Sequence, residues 1–181
     1  LDLGINFFDT ADVYGFGRSE TVLSKALGSR RHDVVIATKF GVRWDSRGRT
    51  SRDCSAKAVV EALEASLRRL KVDCIPLYQI HWHDGKTPIA ETMEALQKCR
   101  EAGKVRHFGC SNFSLDLVRE SRKNGRLESI QLPYNIGQRE NEETLRTCHT
   151  QLEMGALAYG ILIRGLLSGK YDTASRFADG D

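Results

Sequence analysis

The feature that most constrains this chain is an alternation of short apolar or β-branched runs with amphipathic helical stretches, sustained from one end to the other. That alternation is the pattern of βα units, in which each helix returns the chain so that the next strand lies parallel to the last. Six strands are predicted, at Ile5 to Asp9, Val34 to Lys39, Ile75 to His81, Val105 to Ser111, Ser129 to Tyr134 and Gly155 to Tyr159. Helices fit Glu20 to Leu27, Ala56 to Leu70, Ile89 to Ala102, Leu115 to Lys123 and Glu142 to Leu152. The second helix is the plainest: Val59, Leu63, Leu67 and Leu70 make one apolar stripe, with Ser55 or Asp53 available as a cap. Pro76 interrupts the third strand and removes a ladder hydrogen bond, so local distortion is expected there.

The 181 residues carry no Pro- or Ser-rich linker, which argues for a single α/β domain over 1-181. The net charge of +3 is spread among acids, so neither nucleic acid nor an anionic membrane surface is expected as a partner. No apolar run approaches the ~20 residues of a membrane span, and a cytoplasmic location is the expectation. The five cysteines are at least 11 residues apart, which leaves no metal-ligand or C-x-x-C spacing.

In a parallel barrel all strand C-termini face one end, where residues remote in sequence converge. Asp9, Tyr14, Lys39 and His81 stand at or just beyond such ends. Together they make one chemical device. A tyrosine hydroxyl with an ordinary pKa near ~10 is a poor acid unless its phenolate is stabilised. An ammonium at Lys39 would stabilise it, and a carboxylate at Asp9 would hold a buried Lys39 charged. Tyr14 is then the proton donor and His81 the hydrogen-bond donor that positions a carbonyl oxygen. No side chain supplies hydride, so a redox cofactor is required.

Two other readings are open. His81-Trp82-His83 alternates as a zinc site would, but Ser111, Tyr134 and Tyr159 occupy the later strand ends where further ligands are needed; no metal is expected. The loop from Gly41 to Asp53 follows a strand end, so Trp44, with Trp82, is expected to wall a substrate pocket.

The segment Gly4-Ile5-Asn6-Phe7-Phe8-Asp9-Thr10-Ala11-Asp12-Val13-Tyr14-Gly15 resembles the G-x-N-x-x-D-T-A-x-x-Y-G signature of the aldo-keto reductases. Thr38-Lys39-Phe40-Gly41 and Tyr78-Gln79-Ile80-His81-Trp82 are similar to the segments bearing that family's lysine and histidine. The resemblance implies an NAD(P)-dependent (β/α)8 TIM barrel that reduces an aldehyde or ketone, or oxidises the alcohol, with Tyr14, Lys39, Asp9 and His81 catalytic. It extends to the cofactor. Gly109-Cys110-Ser111-Asn112-Phe113 is similar to the family's G-x-S-N-F, and with Gln131 it implies a nicotinamide carboxamide site at Ser111, Asn112 and Gln131. Tyr159 stands where the family stacks an aromatic on the nicotinamide, and Arg164-Gly165-Leu166-Leu167-Ser168-Gly169-Lys170 matches the following R-G-L-L-x-G-K, which adds Arg164 to the cofactor set. NADP(H) is the implied cofactor and NAD(H) remains open.

Two positions depart from the family pattern. Gly160-Ile161 replaces the usual Ser-Pro after Tyr159, and Cys74-Ile75-Pro76-Leu77 stands where Tyr-Ile-Asp-Leu is common. Against the family the chain covers strands two to seven, so an incomplete barrel of about six βα units, truncated at both ends and with exposed apolar edges, is expected. The alternatives to a working enzyme are a silent fragment or a cofactor-binding regulatory subunit resembling potassium-channel β subunits.

Overall fold

The computed structural model describes residues 1–178. Six parallel strands form one sheet in the order β1 (Phe7–Asp9), β2 (Val35–Phe40), β5 (Ile75–Ile80), β6 (Val105–Ser111), β7 (Ser129–Pro133) and β8 (Gly155–Tyr159). Each strand pairs with its predecessor in the sheet, and β1 and β8 are the free edges, so the sheet is an open arc. The helices α1 (Arg18–Leu27), α2 (Ala56–Leu70), α3 (Ile89–Glu101), α4 (Leu115–Arg122) and α5 (Glu142–Thr150) connect the strands.

Local sequence explains the element boundaries. The Ser55 hydroxyl caps α2 by accepting from Ala58 N at 3.3 Å, Ser114 caps α4 from Leu117 N in the same way, and α2 ends where Lys71 turns to φ 57°. Relative to the predicted spans, β1 is two residues shorter at its start and His81 and Tyr134 fall just past their strands. The segment from Gly41 to Asp53 is not an irregular loop. It folds as a hairpin of β3 (Val42–Trp44) and β4 (Thr50–Arg52), turned where Asp45 Oδ1 accepts from the backbone of Arg47 and Arg49. Three-residue strands around a charged turn are too short to carry a period-2 pattern. At Pro76 the disturbance is confined to the ladder: pairing with β6 holds at Ile75 and from Leu77 to Ile80, and pairing with β2 starts at Leu77.

Alternation sends the two sets of strand residues to different surroundings. Ile36, Phe40, Tyr78, Ile80, Phe108, Cys110, Ile130 and Leu132 point outward and join Leu63, Leu67, Leu70, Met93, Leu96 and Val118 of the helices in one buried apolar cluster. The intervening residues, Asp9, Ala37, Lys39, Gln79, Gly109, Ser111 and Gln131, face the concave side of the arc. That face holds the polar groups.

Candidate active site

Register sets the concave cluster. Asp9 pairs across β1–β2 with Ala37, so Lys39 lies two residues further along the same face, and Lys39 is level with Gln79 of β5. Lys39 is the only lysine buried in the chain's described residues, its side chain 2% exposed. Its Nζ donates to Asp9 Oδ2 at 2.6 Å and to the Thr10 carbonyl at 2.8 Å, while Gln79 Nε2 donates to the second Asp9 oxygen at 3.3 Å. Burial pushes the Lys39 pKa down, and the Asp9 charge and hydrogen bond oppose that shift. A buried ammonium persists there because a carboxylate faces it.

Above this pair stand Tyr14 and His81. The Lys39 Nζ lies 5.4 Å from the centre of the Tyr14 ring, and the Tyr14 and His81 rings meet edge to face with centroids 5.7 Å apart. The His81 pKa falls to about 4, by burial first and then by the Lys39 charge, so the imidazole is neutral near pH 7. Its Nδ1 is buried without a hydrogen-bond partner. The Tyr14 pKa moves opposite to the tuning inferred from residue types: it rises, through burial and then through the charge of Asp9. The carboxylate that anchors Lys39 also faces the phenol, and its charge adds to the effect of burial. At neutral pH the hydroxyl therefore carries its proton.

The next three strand ends build a connected polar shelf. Asn112, in the left-handed region at φ 60°, donates from Nδ2 to the His81 carbonyl at 3.0 Å and to Ser111 Oγ at 3.1 Å, and accepts at Oδ1 from the Tyr159 hydroxyl at 2.8 Å. Ser111 Oγ donates to the Gln131 carbonyl at 3.0 Å. One residue thus ties β5, β6 and β8 together. Gly109 makes room beneath the shelf: a Cβ there would lie 2.2 Å from Ser129 Oγ and 2.9 Å from Gln79 Cγ.

A pocket of about 180 Å³ opens over these groups, lined by Asp9, Tyr14, His81, Trp82, Ser111, Asn112, Gln131 and Tyr159. Lys39 lies directly below. Two residues named from sequence fall elsewhere. Trp44 is carried by the hairpin toward α2, where it packs on Phe16 at 5.8 Å and lines a separate cavity with Asp12, Ala62 and Arg69. Its expected role as a pocket wall presumed a loop draped over the strand ends, and the hairpin turns it outward instead. Arg164 is exposed in a short 3-10 segment, Ile163–Ser168, at φ 51°, and it does not line the pocket. His83 turns into its own loop, its ring nitrogens engaged with the Thr87 carbonyl and Gly85 N. Among the described residues no three His, Cys, Asp or Glu side chains are grouped to hold a metal ion, and no helix is long and apolar enough to cross a membrane.

Gln79 was missed as a site residue. Its signal was present, since strand alternation puts it on the same side as His81 two residues on. Also missed were Asp12 and Glu20 behind the site: Glu20 is fully buried, accepting from Thr38 Oγ1 at 2.6 Å and pairing with Arg69 at 2.6 Å.

Aldo-keto reductase YhdN of Bacillus subtilis is 40% identical over 183 aligned residues, covering all of this chain and 55% of its own length. The NADH-specific methylglyoxal reductase of Escherichia coli is 35% identical over 92% of this chain and 55% of its own. Among solved structures, the glycerol dehydrogenase of Gluconobacter oxydans superposes with a TM-score of 0.95 at 40% identity, over 99% of this chain and 56% of that one. An aldo/keto reductase of Klebsiella pneumoniae in complex with NADP and acetate does so with a TM-score of 0.78 at 29% identity, over 91% and 56%. The chain therefore spans about half the length of the relatives it matches, as a six-stranded part of their barrel. The model of the Aldo/keto reductase family matches residues 1–181, and this chain belongs to that family.

Proposed function

We propose that the chain is the catalytic part of an NAD(P)-dependent carbonyl reductase, one truncated barrel domain over residues 1-181, that reduces a small aldehyde or ketone to its alcohol or runs the reverse oxidation. The observation that carries this reading is the 2.6 Å ion pair between the buried Lys39 and Asp9, which opens to the pocket, directly beneath Tyr14 and His81. A lysine ammonium is costly to bury, and its position under a protonated phenol gives it a use.

In this mechanism a carbonyl oxygen enters between Tyr14 and His81. The neutral imidazole donates a hydrogen bond that fixes the oxygen's direction. As negative charge grows on that oxygen, the Tyr14 hydroxyl transfers its proton to it, and the Lys39 ammonium stabilises the phenolate left behind. The elevated resting pKa of Tyr14 keeps the acid loaded before the reaction. Asp9 and Gln79 hold Lys39 in position.

A nicotinamide bound in the pocket would supply the hydride, and the residues present fit one. The Gln131 side chain is buried, lines the pocket and makes no hydrogen bond among the described residues, leaving its amide to meet a carboxamide. Ser111 and Asn112 hold the neighbouring backbone and Tyr159 offers a half-exposed ring. NADP(H) is proposed first, in keeping with the NADP complex of the Klebsiella relative; the NADH-specific reductase of Escherichia coli keeps NAD(H) as the second choice. Arg164 remains proposed as a cofactor contact, reached by rearrangement of its exposed segment when dinucleotide binds.

NADPH titration tests the reading. Quenching of Trp82 fluorescence, followed by NADPH-dependent turnover of 4-nitrobenzaldehyde, is the expected result; absence of any NADPH binding by monodisperse protein would overturn it.

A further inference from the structure

Arg52 ends β4 as a cation with no carboxylate partner and no side-chain hydrogen bond among the described residues. Its guanidinium carbon lies 4.5 Å from the centre of the Trp82 ring, and Trp82 lines the pocket. Of the other arginines of the hairpin, Arg43 pairs with Glu61 at 3.0 Å and Arg49 with Asp45 at 2.7 Å, while Arg47, without an ion partner among the described residues, sits in the turn and not against the pocket wall.

Arg52 is also held firmly. Its residue pairs with Val42 across the hairpin, and the next residue, Asp53, donates its N–H to the Gly41 carbonyl at 3.1 Å. Cys54 then locks the hairpin base to the pocket wall: its Sγ contacts the Trp82 carbonyl at 3.4 Å and its N–H donates to Asp84 Oδ2 at 2.9 Å. Gly41, at φ 99°, lets these segments meet, since a Cβ there would lie 3.0 Å from the Trp82 carbonyl. The backbone positions from which Arg52 and Trp82 meet are therefore set on both sides.

Among the described residues neither nearby carboxylate, Asp53 or Asp84, forms an ion pair with Arg52; Asp53 accepts from the Ser55 N–H at 3.0 Å. Lys39 is cancelled by Asp9 in the floor. Asp84 is occupied by the backbone of Cys54, Lys86 and Thr87 and by the Thr87 hydroxyl. The field of Arg52 reaches the site itself, where it adds to the forces that keep His81 neutral.

We propose that Arg52, stacked on Trp82, is a specificity-determining residue that selects carbonyl substrates carrying an anionic group, a carboxylate or phosphate, at the end remote from the reacting carbon. An aromatic wall accepts the body of the substrate, and the guanidinium, which lies 4.5 Å from that ring and does not itself line the pocket, donates to two oxygens of an anion that extends past Trp82, in a planar fork. Cation–π contact fixes the guanidinium plane without using its N–H groups, so they remain free to bind. The inference rests on the reductase reading and names the substrate class of that site.

The test compares 4-carboxybenzaldehyde with 4-nitrobenzaldehyde, two aldehydes of like shape that differ in charge. Arg52→Gln should lower the ratio of their kcat/KM values roughly 1.5- to fivefold, the range of a partly exposed ion pair, and raising salt should shrink the wild-type ratio toward that of the variant. A ratio unchanged by Arg52→Gln and by salt would overturn the proposal. A binding measurement separates its failure from that of the reductase reading. Calorimetric titration with 4-(hydroxymethyl)benzoate and with 4-methylbenzyl alcohol should show Arg52→Gln weakening the anionic alcohol more than the neutral one, even if no turnover is seen. Equal weakening of both, or no binding of the anionic alcohol by the wild-type chain, would defeat it.

Discussion

The two faces of the sheet differ in completeness although the same strands build both. On the convex face Ile36, Phe40, Tyr78, Ile80 and Phe108 are covered by the helices and are essentially inaccessible. On the concave face the strand ends bury Lys39, Gln79, Ser111 and Gln131 but leave Asp9 and Tyr14 partly open, and further down the same face Phe7 and Val35 remain 38% and 39% exposed. The helices that cover the convex side come with the βα units, so five helices cover it up to β7, and only at β8, where no α-helix follows among the described residues, do the outward Ala156 and Ala158 stay exposed. The concave side is covered only by strands across the barrel, and an open arc of six does not bring them. Packing energy is therefore concentrated on one face and chemistry on the other, and substitutions separate the two.

The largest separation should come from Tyr14→Phe. Removing one hydroxyl should reduce carbonyl turnover roughly a hundred- to ten-thousandfold, as loss of a general acid does. The unfolding midpoint should hardly move, because Tyr14 is 44% exposed and its hydroxyl makes no internal hydrogen bond among the described residues. Paired kinetic and thermal measurements on the one variant check this, and unchanged turnover would remove Tyr14 from its role. The convex counterpart is Leu96→Ala, at a fully buried position in α3. It should cost about 2–5 kcal/mol by chemical denaturation, transfer and cavity terms together.

How far these roles were readable in the sequence follows the same division. Convex positions announce themselves by period, as Val59, Leu63, Leu67 and Leu70 do, because helix packing asks only for apolar side chains at the right spacing. Asp9, Tyr14, Lys39 and His81 were legible because strand ends collect chemistry and their order matched a family, and the structure brings all four together. What escaped was set by the path of the chain between elements. The hairpin of β3 and β4 turned Trp44 away, and no pattern in three-residue strands foretold it. Gln79 escaped because a glutamine in a strand carries no chemical signal until Asp9 is known to lie beside it. The sense of the Tyr14 shift escaped because residue types give no depths or distances.

Gly109→Ala probes the floor common to both faces. The added methyl meets Ser129 Oγ, and the shelf has no room to yield without moving Gln79. Overpacking of this kind should cost roughly 1–3 kcal/mol. Adding Ser129→Ala should recover part of the loss, a non-additivity that a double-mutant cycle in urea would read. Full additivity would show that the strain lies against Gln79 alone.

Asp12 tests the layer behind the site. It is 2% exposed, and burial first, then the charge of Glu20, raises its pKa from 3.8 to about 7. The folded chain thus binds this proton more tightly than the unfolded chain does. The sign is that stability is fully present below about 3.8 and is lost as pH rises toward 7. Asp12→Asn cannot deprotonate, so its stability relative to wild type should rise across that window and level off above it. Urea midpoints measured from pH 4.5 to 8 check the slope; a constant difference would mean that Asp12 is ionised in the fold throughout.

The smallest effect is the one that bears most directly on the open face. Val35 lies on β2 beside Phe7 of the edge strand and points into the concave side. With two fifths of its surface already wet, Val35→Ala should cost only about 0.5 kcal/mol, as for an exposed site, against several for Leu96→Ala. The two variants differ in which face they thin, so their ratio measures how covered the concave face is in solution. A Val35→Ala penalty approaching that of Leu96→Ala, and growing with protein concentration, would mean that a second copy covers the concave face. A small, concentration-independent penalty would leave the arc open as described, with its active-site residues held by strand register and by the Lys39–Asp9 pair without help from the missing wall.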